Sequence, residues 1–253
     1  MAGHSHASNV AVRKGAQDKK RASAFTKVAR EITTAVRLSG PDPDANPRLR
    51  LAILKGRAVD MPNDRIKRAI DLGMPGQDDG KVYEEVRYEG YGPNGVAVIV
   101  ECLTDNRTRT VGDLRIIFTK NGGNLGDSGA VAFMFDRVGE IVIAVDKGSA
   151  DAMFEAAVEA GAENVESTAD GHFVYTAVSD FAAVREALVK KFGEPARSGL
   201  VFKGNVKTPV SDLAVAESVV KLTDALEEND DVQMVFTNMD VSAEIAARLA
   251  AED

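Results

Sequence analysis

Residues 140–203, EIVIAVDKGSADAMFEAAVEAGAENVESTADGHFVYTAVSDFAAVREALVKKFGEPARSGLVFK, decide the fold because they read as one complete unit. Ile141–Val145 is a short apolar run bounded by turn residues, which predicts a buried strand. Ser149 stands as an N-cap before an apolar-periodic stretch, a strand follows around Val165, and Asp170-Gly171 supplies a hairpin turn into Phe173–Val178. Ser179 caps a second helix and Leu200–Lys203 closes the unit as a fourth strand. The order is βαββαβ, the ferredoxin-like arrangement.

Working outward, Val96–Leu103 is an apolar run bounded by turns and reads as a buried strand. A helix follows from about Arg107, burying Val111, Leu114 and Phe118 and ending at Gly122-Gly123, and Ala130–Phe135 reads as the next strand. Beyond residue 203 come an extended piece around Val206, a helix from Ser211 with Val215, Val219, Leu222 and Leu226 on one face, and a strand at Val232–Phe236. These pieces complete a second βαβ-βαβ that the first unit interrupts. Tyr83–Gly95 carries charged and aromatic residues and ends in two turn signals, Gly92-Pro93 and Asn94-Gly95. The expected fold class is therefore α+β: an N-terminal helical domain followed by two ferredoxin-like (βαββαβ) domains, one inserted in the other. The boundaries are 1–73 for a basic arm and three-helix domain, 74–82 for a linker rich in Gly, Pro and Asp, 83–136 plus 204–253 for the discontinuous middle domain, and 137–203 for the insert.

In the helical part, Phe25, Val28, Ala29, Ile32 and Val36 recur at three- and four-residue steps, with Ser23 as N-cap and Gly40 past the end. Lys27, Arg30 and Arg37 fall on the opposite, outward face. Asn46-Pro47 opens a second helix that buries Leu49, Ala52 and Ile53, and Met61-Pro62 opens a third that buries Ile66, Ala69 and Ile70 and closes at Gly73. Residues 1–21 lack apolar periodicity and read as a mobile or loosely packed arm.

Charge is segregated along the chain. Residues 1–73 carry fifteen Lys and Arg against seven Asp and Glu, whereas the other 180 residues hold sixteen against thirty-two, so the net charge of −8 hides a basic end and an acidic body. A basic end of this kind suits a polyanion, approached by one face and repelled by the rest. The expected phosphate contacts are Arg13, Lys14, Lys19, Lys20, Arg21, Lys27 and Arg30, with Arg48 and Arg50 on the second helix. A charge run can equally be a solvated face, although such faces normally mix both signs.

Other functions find less support. No helix-turn-helix with an evident recognition helix is present, so binding should depend on salt more than on sequence. Asn121-Gly122-Gly123-Asn124 lies between helix and strand without the Lys-Ser/Thr ending of a phosphate loop. Asp105-Asn106-Arg107 followed by Arg109 reads as a helix N-terminus or as a polar loop that touches ligand, and the pairs Glu84-Glu85 and Asp230-Asp231 as solvated carboxylates. His4-Ser5-His6 lacks further ligands nearby, and no nucleophile-base pair is evident. No catalytic residue, enzyme activity, metal or cofactor is expected. A single cysteine, Cys102, reads as a small core residue. With no run of about eighteen apolar residues and no apolar stretch after the first charges, a cytoplasmic location without membrane association is expected. Oligomeric state is not legible, and a small-molecule sensor built on paired ferredoxin-like units is a remaining alternative.

Several motifs resemble the YebC family. Gly3-His4-Ser5, Asn9, Arg13-Lys14, Gln17-Asp18, Lys20-Arg21 and Phe25-Thr26-Lys27 resemble its start, and Asn46-Pro47-Arg48-Leu49-Arg50 its next signature. Glu84 to Pro93, Leu103-Thr104-Asp105-Asn106-Arg107 and Gly122-Gly123-Asn124-Leu125-Gly126 resemble its central motifs, and Asp224-Ala225-Leu226-Glu227 with Asp230-Asp231-Val232 its C-terminal one. The resemblance implies a three-domain plan and a DNA-binding transcriptional regulator, or, in a second branch, a translation factor that contacts ribosomal RNA at the ribosome and relieves stalled synthesis. His6-Ala7 and Ala11-Val12 depart from the family pattern where cationic and aromatic groups are usual, which removes contacts from the arm.

Overall fold

The computed structural model describes residues 17–77 and 80–251, with side chains for 23–77 and 80–250. The chain forms two compact units, one running to Ala130 and including Glu217–Val235, the other built from Val131–Ala216 and the segment from Phe236 onward.

Among the described residues the first unit opens with three helices, α1 (Gln17–Ser39), α2 (Pro47–Ala58) and α3 (Asn63–Gly73). Their core is Val28, Ile32, Ala35, Val36, Leu49, Ala52, Met61, Ile66 and Ala69, the residues whose spacing marks the helices in the sequence. Burying a side chain the size of Ile32 or Leu49 contributes roughly 2 kcal/mol each. Asn46 ties two of these helices together: its Oδ1 accepts from the Leu49 amide at 3.0 Å as N-cap of α2, and its Nδ2 donates to the carbonyls of Ala35 and Gly40 at 2.8 Å. Helix α1 starts at Gln17, earlier than the Ser23 cap expected from sequence, so the segment 17–21 assigned to the arm is helical. The Ser23 hydroxyl instead donates to Asp230 at 3.1 Å.

The same unit holds a sheet of order β3-β1-β2-β9, made of β1 (Glu84–Tyr91), β2 (Ala97–Thr104), β3 (Asn124–Leu125) and β9 (Val232–Thr237). Helix α4 (Arg107–Lys120) and helix α7 (Leu213–Glu227) contribute Leu114, Phe118, Leu222 and Leu226 to a core with Val98, Val100 and Cys102 of β2. Two sequence expectations are corrected here. Tyr83–Gly95 is not merely a polar approach to a turn: β1 pairs antiparallel with β2 along its whole length, from Glu84 opposite Thr104 to Tyr91 opposite Ala97. The strand expected at Ala130–Phe135 is absent; a 3-10 turn fills Ala132–Met134, and the short β3 pairs with β1. The observed order around the interruption is thus ββαβ followed by αβ. Gly90 permits this, because a Cβ there would come within 2.6 Å of the Asn124 carbonyl and 2.9 Å of the Phe118 ring.

The second unit contains β4 (Phe135–Ile143), α5 (Ala150–Ala160), β5 (Asn164–Thr168), β6 (Gly171–Thr176), α6 (Phe181–Phe192) and β7 (Arg197–Gly204), with sheet order β5-β6-β4-β7 and antiparallel neighbours. That is the ferredoxin-like order read from residues 140–203. Ser149 caps α5 by accepting from the Ala152 amide at 3.2 Å, whereas α6 starts after Asp180 without a side-chain cap, one residue later than the Ser179 expected. The extended piece near Val206 is β8 (Thr208–Val210), which pairs in parallel with β10 (Met239–Val241) before a last helix, α8 (Ala243–Ala251).

Candidate nucleic-acid interface

The basic residues of the helical part are not one uniform surface. Arg30 turns inward, against the expectation that it faces outward. Its Nη1 lies 2.6 Å from Asp231 Oδ1 and donates to the Asp230 carbonyl at 2.8 Å, while its guanidinium sits 5.4 Å from the Tyr83 ring centroid. One turn earlier, Lys27 donates to the Glu227 carbonyl. Two turns later, Arg37 donates to the carbonyls of Lys81 and Leu72. The Lys27 and Arg30 contacts fasten α1 to the end of α7 and the start of β9, and those of Arg37 tie it to α3 and the segment entering β1.

Asp231 is the focus of this fastening. It is buried, and corrects the expectation that Asp230-Asp231 is a solvated pair. Arg109 donates to both of its oxygens at 3.1 and 2.9 Å, and the Thr110 hydroxyl donates to Oδ2 at 2.7 Å. Burial pushes its pKa up, but hydrogen bonds from Arg109, Thr110 and Arg30 outweigh this and hold the carboxyl below its ordinary value. Arg109 also binds Asp105 at 2.7 Å, and Asn106 accepts from the Arg109 amide as N-cap of α4. The polar motif Asp105-Asn106-Arg107 is thus a helix start, and its fourth member is half of a structural clamp. Below it, burial, with the Asp231 charge adding, pushes the Cys102 thiol up to about 12, which suits a core residue.

The other sequence-nominated cations are scattered. Arg48 pairs with Glu85, and Arg50 donates to the Pro43 and Asp44 carbonyls at 3.0 Å on the loop that precedes α2. Lys19, Lys20 and Arg21 lie in the backbone of α1 and their side chains are outside the described residues, as are Arg13, Lys14 and the His4-Ser5-His6 motif.

A group that charge counting by segment passed over lies on α3. Arg65, Lys67 and Arg68 are exposed, and Arg65 and Arg68 stand one turn apart beside a groove of about 320 Å³ between α1, α3 and the segment entering β1. Phe25 and Tyr83 contribute aromatic rings to the groove, Lys81 and Arg30 further cations, and no Asp or Glu lines it. Arg65 lies over the Phe25 ring, 5.4 Å from its centroid. The sequence signal was present in Asn63-Asp64-Arg65-Ile66-Lys67-Arg68, where apolar residues alternate with cations at helical spacing, but only the fold shows that Phe25 and Tyr83 come beside it.

Elsewhere, His172 is engaged through both ring nitrogens, with Ser167 Oγ at 2.8 Å and the Gly148 carbonyl at 3.0 Å. Among the described residues no group of three or more His, Cys, Asp or Glu is placed to hold a metal ion, and no helix is long and apolar enough to cross a membrane.

Residues 5–74 match the family described as "TACO1/YebC protein N-terminal domain", and residues 83–239 match "TACO1/YebC second and third domain". The chain is also similar to a solved crystal structure of a conserved hypothetical protein from Aquifex aeolicus. The two are 42% identical, with a TM-score of 0.83 over 92% of this chain and 96% of that one.

Proposed function

The chain belongs to the TACO1/YebC family, and from that membership we propose that it is a nucleic-acid-binding regulator of gene expression that meets phosphates with its basic helical end. The observation that carries this is the segregation of charge: fifteen Lys and Arg against seven acids in residues 1–73, and twice as many acids as bases in the rest. The fold refines which cations are available. Lys27, Arg30, Arg48 and Arg50 are engaged within the chain, while the exposed Arg65, Lys67 and Arg68 form a cluster on one helix. Such a surface binds phosphates electrostatically, and base-edge readout adds little to it.

One physiological role compatible with this chemistry is regulation of transcription on duplex DNA. The other is action in translation, through ribosomal RNA. The groove beside Arg65 and Arg68 favours the second, because its size and the two aromatic rings in its lining suit an unpaired base, which folded RNA offers and duplex DNA does not. In either role the protein acts by binding, without catalysis, and the acidic domains keep the complex oriented.

The test is a titration of the full chain with duplex DNA and with structured RNA at about 50 and about 200 mM salt. Binding of both, weakened at least about tenfold by the higher salt, is expected, as is weaker binding of both on combined substitution of Lys19, Lys20 and Arg21 by Ala. Affinity that survives the higher salt and selects one DNA site by orders of magnitude would overturn it, and so would absence of binding at the lower salt.

A further inference from the structure

We propose that the groove between α1 and α3 is a binding site for one unpaired nucleotide of a single strand, its phosphate held by Arg65 and Arg68 and its base stacked on the aromatic side formed by Phe25 and Tyr83. The proposal rests on the nucleic-acid reading above and names the element of nucleic acid that this chain takes in.

The volume is the first reason. About 320 Å³ is near the low end of small-ligand pockets, enough for one nucleotide and too little for a base pair. The floor is made of small side chains, Ala29, Thr33 and Ala69, and the Thr33 hydroxyl is already spent on the Ala69 carbonyl at 2.9 Å. A flat apolar object can therefore descend to the helix backbones without stranding a polar group.

Charge is the second reason. Arg65 and Arg68 are three residues apart on α3, so their guanidinium groups leave the same face of the helix and can share one phosphate. Among the described residues neither has a carboxylate partner, in contrast to Arg30 and Arg109, which meet at Asp231. With no acidic residue in the lining, nothing in the groove repels an anion.

The stacking geometry is the third. Phe25 and Tyr83 each carry a guanidinium over the ring at 5.4 Å, from Arg65 and Arg30 respectively. Arg30 is held in place by Asp231, which fixes the Tyr83 side of the groove in advance. Arg65 has no such anchor; a base that takes its position on Phe25 releases the guanidinium toward the adjoining phosphate. Cation-on-ring contact is thereby exchanged for base-on-ring stacking plus a charge-assisted bond, the combination by which single strands are held in other grooves.

The experiment compares full-length protein and its Arg68→Ala variant, with Tyr83→Leu as a second variant, on a fluorescein-labelled single-stranded RNA of about ten nucleotides, on the DNA strand of the same sequence, and on the duplex. Arg68 is exposed, so its replacement leaves the fold and melting temperature unchanged. About a tenfold loss of single-strand affinity in each variant, with duplex binding changed less than about twofold, is the expected result. Tighter binding of the RNA strand identifies RNA as the source of the nucleotide, tighter binding of the DNA strand identifies melted DNA, and either supports the site. Equal losses on single strand and duplex, or no loss from Arg68→Ala on the single strand, would overturn the groove as a nucleotide site while leaving the broader function standing. If unmodified protein bound none of the three nucleic acids, the broader function itself would fail, and the groove proposal with it.

Discussion

Arg30 and Asp231, 201 residues apart in sequence, meet at 2.6 Å, with side chains only 17% and 5% exposed. Through this contact α1, the first helix among the described residues, is fixed against the start of β9 within one compact unit. Because Arg109 and Thr110 bind the same carboxylate, Asp231 holds together three separate segments.

Replacing Asp231 by Ala should therefore destabilise the protein by roughly 3 kcal/mol, since it leaves a mostly buried guanidinium without its partner and strips two further donors. Arg109, at 45% exposure, recovers part of its loss from water and from Asp105, which keeps the figure at the lower end of the range for buried pairs. A double-mutant cycle with Arg30→Ala, read by denaturant unfolding, should give a coupling of about 1–3 kcal/mol. Additive effects would mean that the pair contributes nothing as a pair.

The same carboxylate sets a pH dependence. Its folded pKa is depressed, so the unfolded chain, with an ordinary value of about 3.9, binds the proton more readily. Stability from this group is then complete above about pH 5 and is lost as pH falls toward and through the folded value. Unfolding curves collected from about pH 3 to 7 should show a steeper acid decline in the unmodified protein than in Asp231→Asn, which lacks the titrating group. Identical acid limbs would assign the decline to other carboxylates.

Two glycine substitutions should part company. At Gly73 an added Cβ would lie 2.5 Å from Val36 Cβ and 2.8 Å from the Thr33 carbonyl, so Gly73→Ala must push α3 off α1, at a cost of about 2 kcal/mol. At Gly112, inside α4, the same methyl meets nothing within 4 Å, and Gly112→Ala should be neutral or stabilising by up to about 1 kcal/mol through helix propensity. Thermal melts of both variants check the contrast.

Cys102 is buried under α4 and α7 with its thiol pushed up to about 12, whereas an unfolded cysteine titrates near about 8.5. At about pH 8 the native thiol should react with a disulfide reagent only as fast as the protein opens, and orders of magnitude more slowly than in denaturant. Immediate labelling of the native chain would show that β2 is accessible.

The inserted βαββαβ unit was legible because its strands are apolar runs, its turns carry Gly, and local rules agree with one another along 140–203. Strand β1 was not, because Glu84-Glu85-Val86-Arg87-Tyr88-Glu89-Gly90-Tyr91 offers only Val86 and Tyr88 toward the core between charged neighbours and is held extended by pairing with β2, a long-range fact. The strand expected at Ala130–Phe135 failed for a related reason: Phe135 begins a long strand of the second unit, while the short β3 pairs with β1 in the first sheet. Charge patterning located the basic end but not which of its cations are held within the fold. It cannot distinguish Arg30, which is paired with a carboxylate some two hundred residues away, from Arg68, which makes no ion pair among the described residues although Asp64 and Asp71 lie within a turn of it on α3. The groove was illegible too, because Phe25, Arg65 and Tyr83 belong to three segments that only packing brings together.

The claim that the basic helical end meets nucleic acid is open to one decisive measurement: ultraviolet crosslinking of the full chain to nucleic acid in cells, with identification of the bound strand and of the crosslinked peptides. The account predicts crosslinks in residues 1–73 and at Tyr83, on the face of α1 and α3. Crosslinks confined to residues 84–253, on the acidic body, would contradict it.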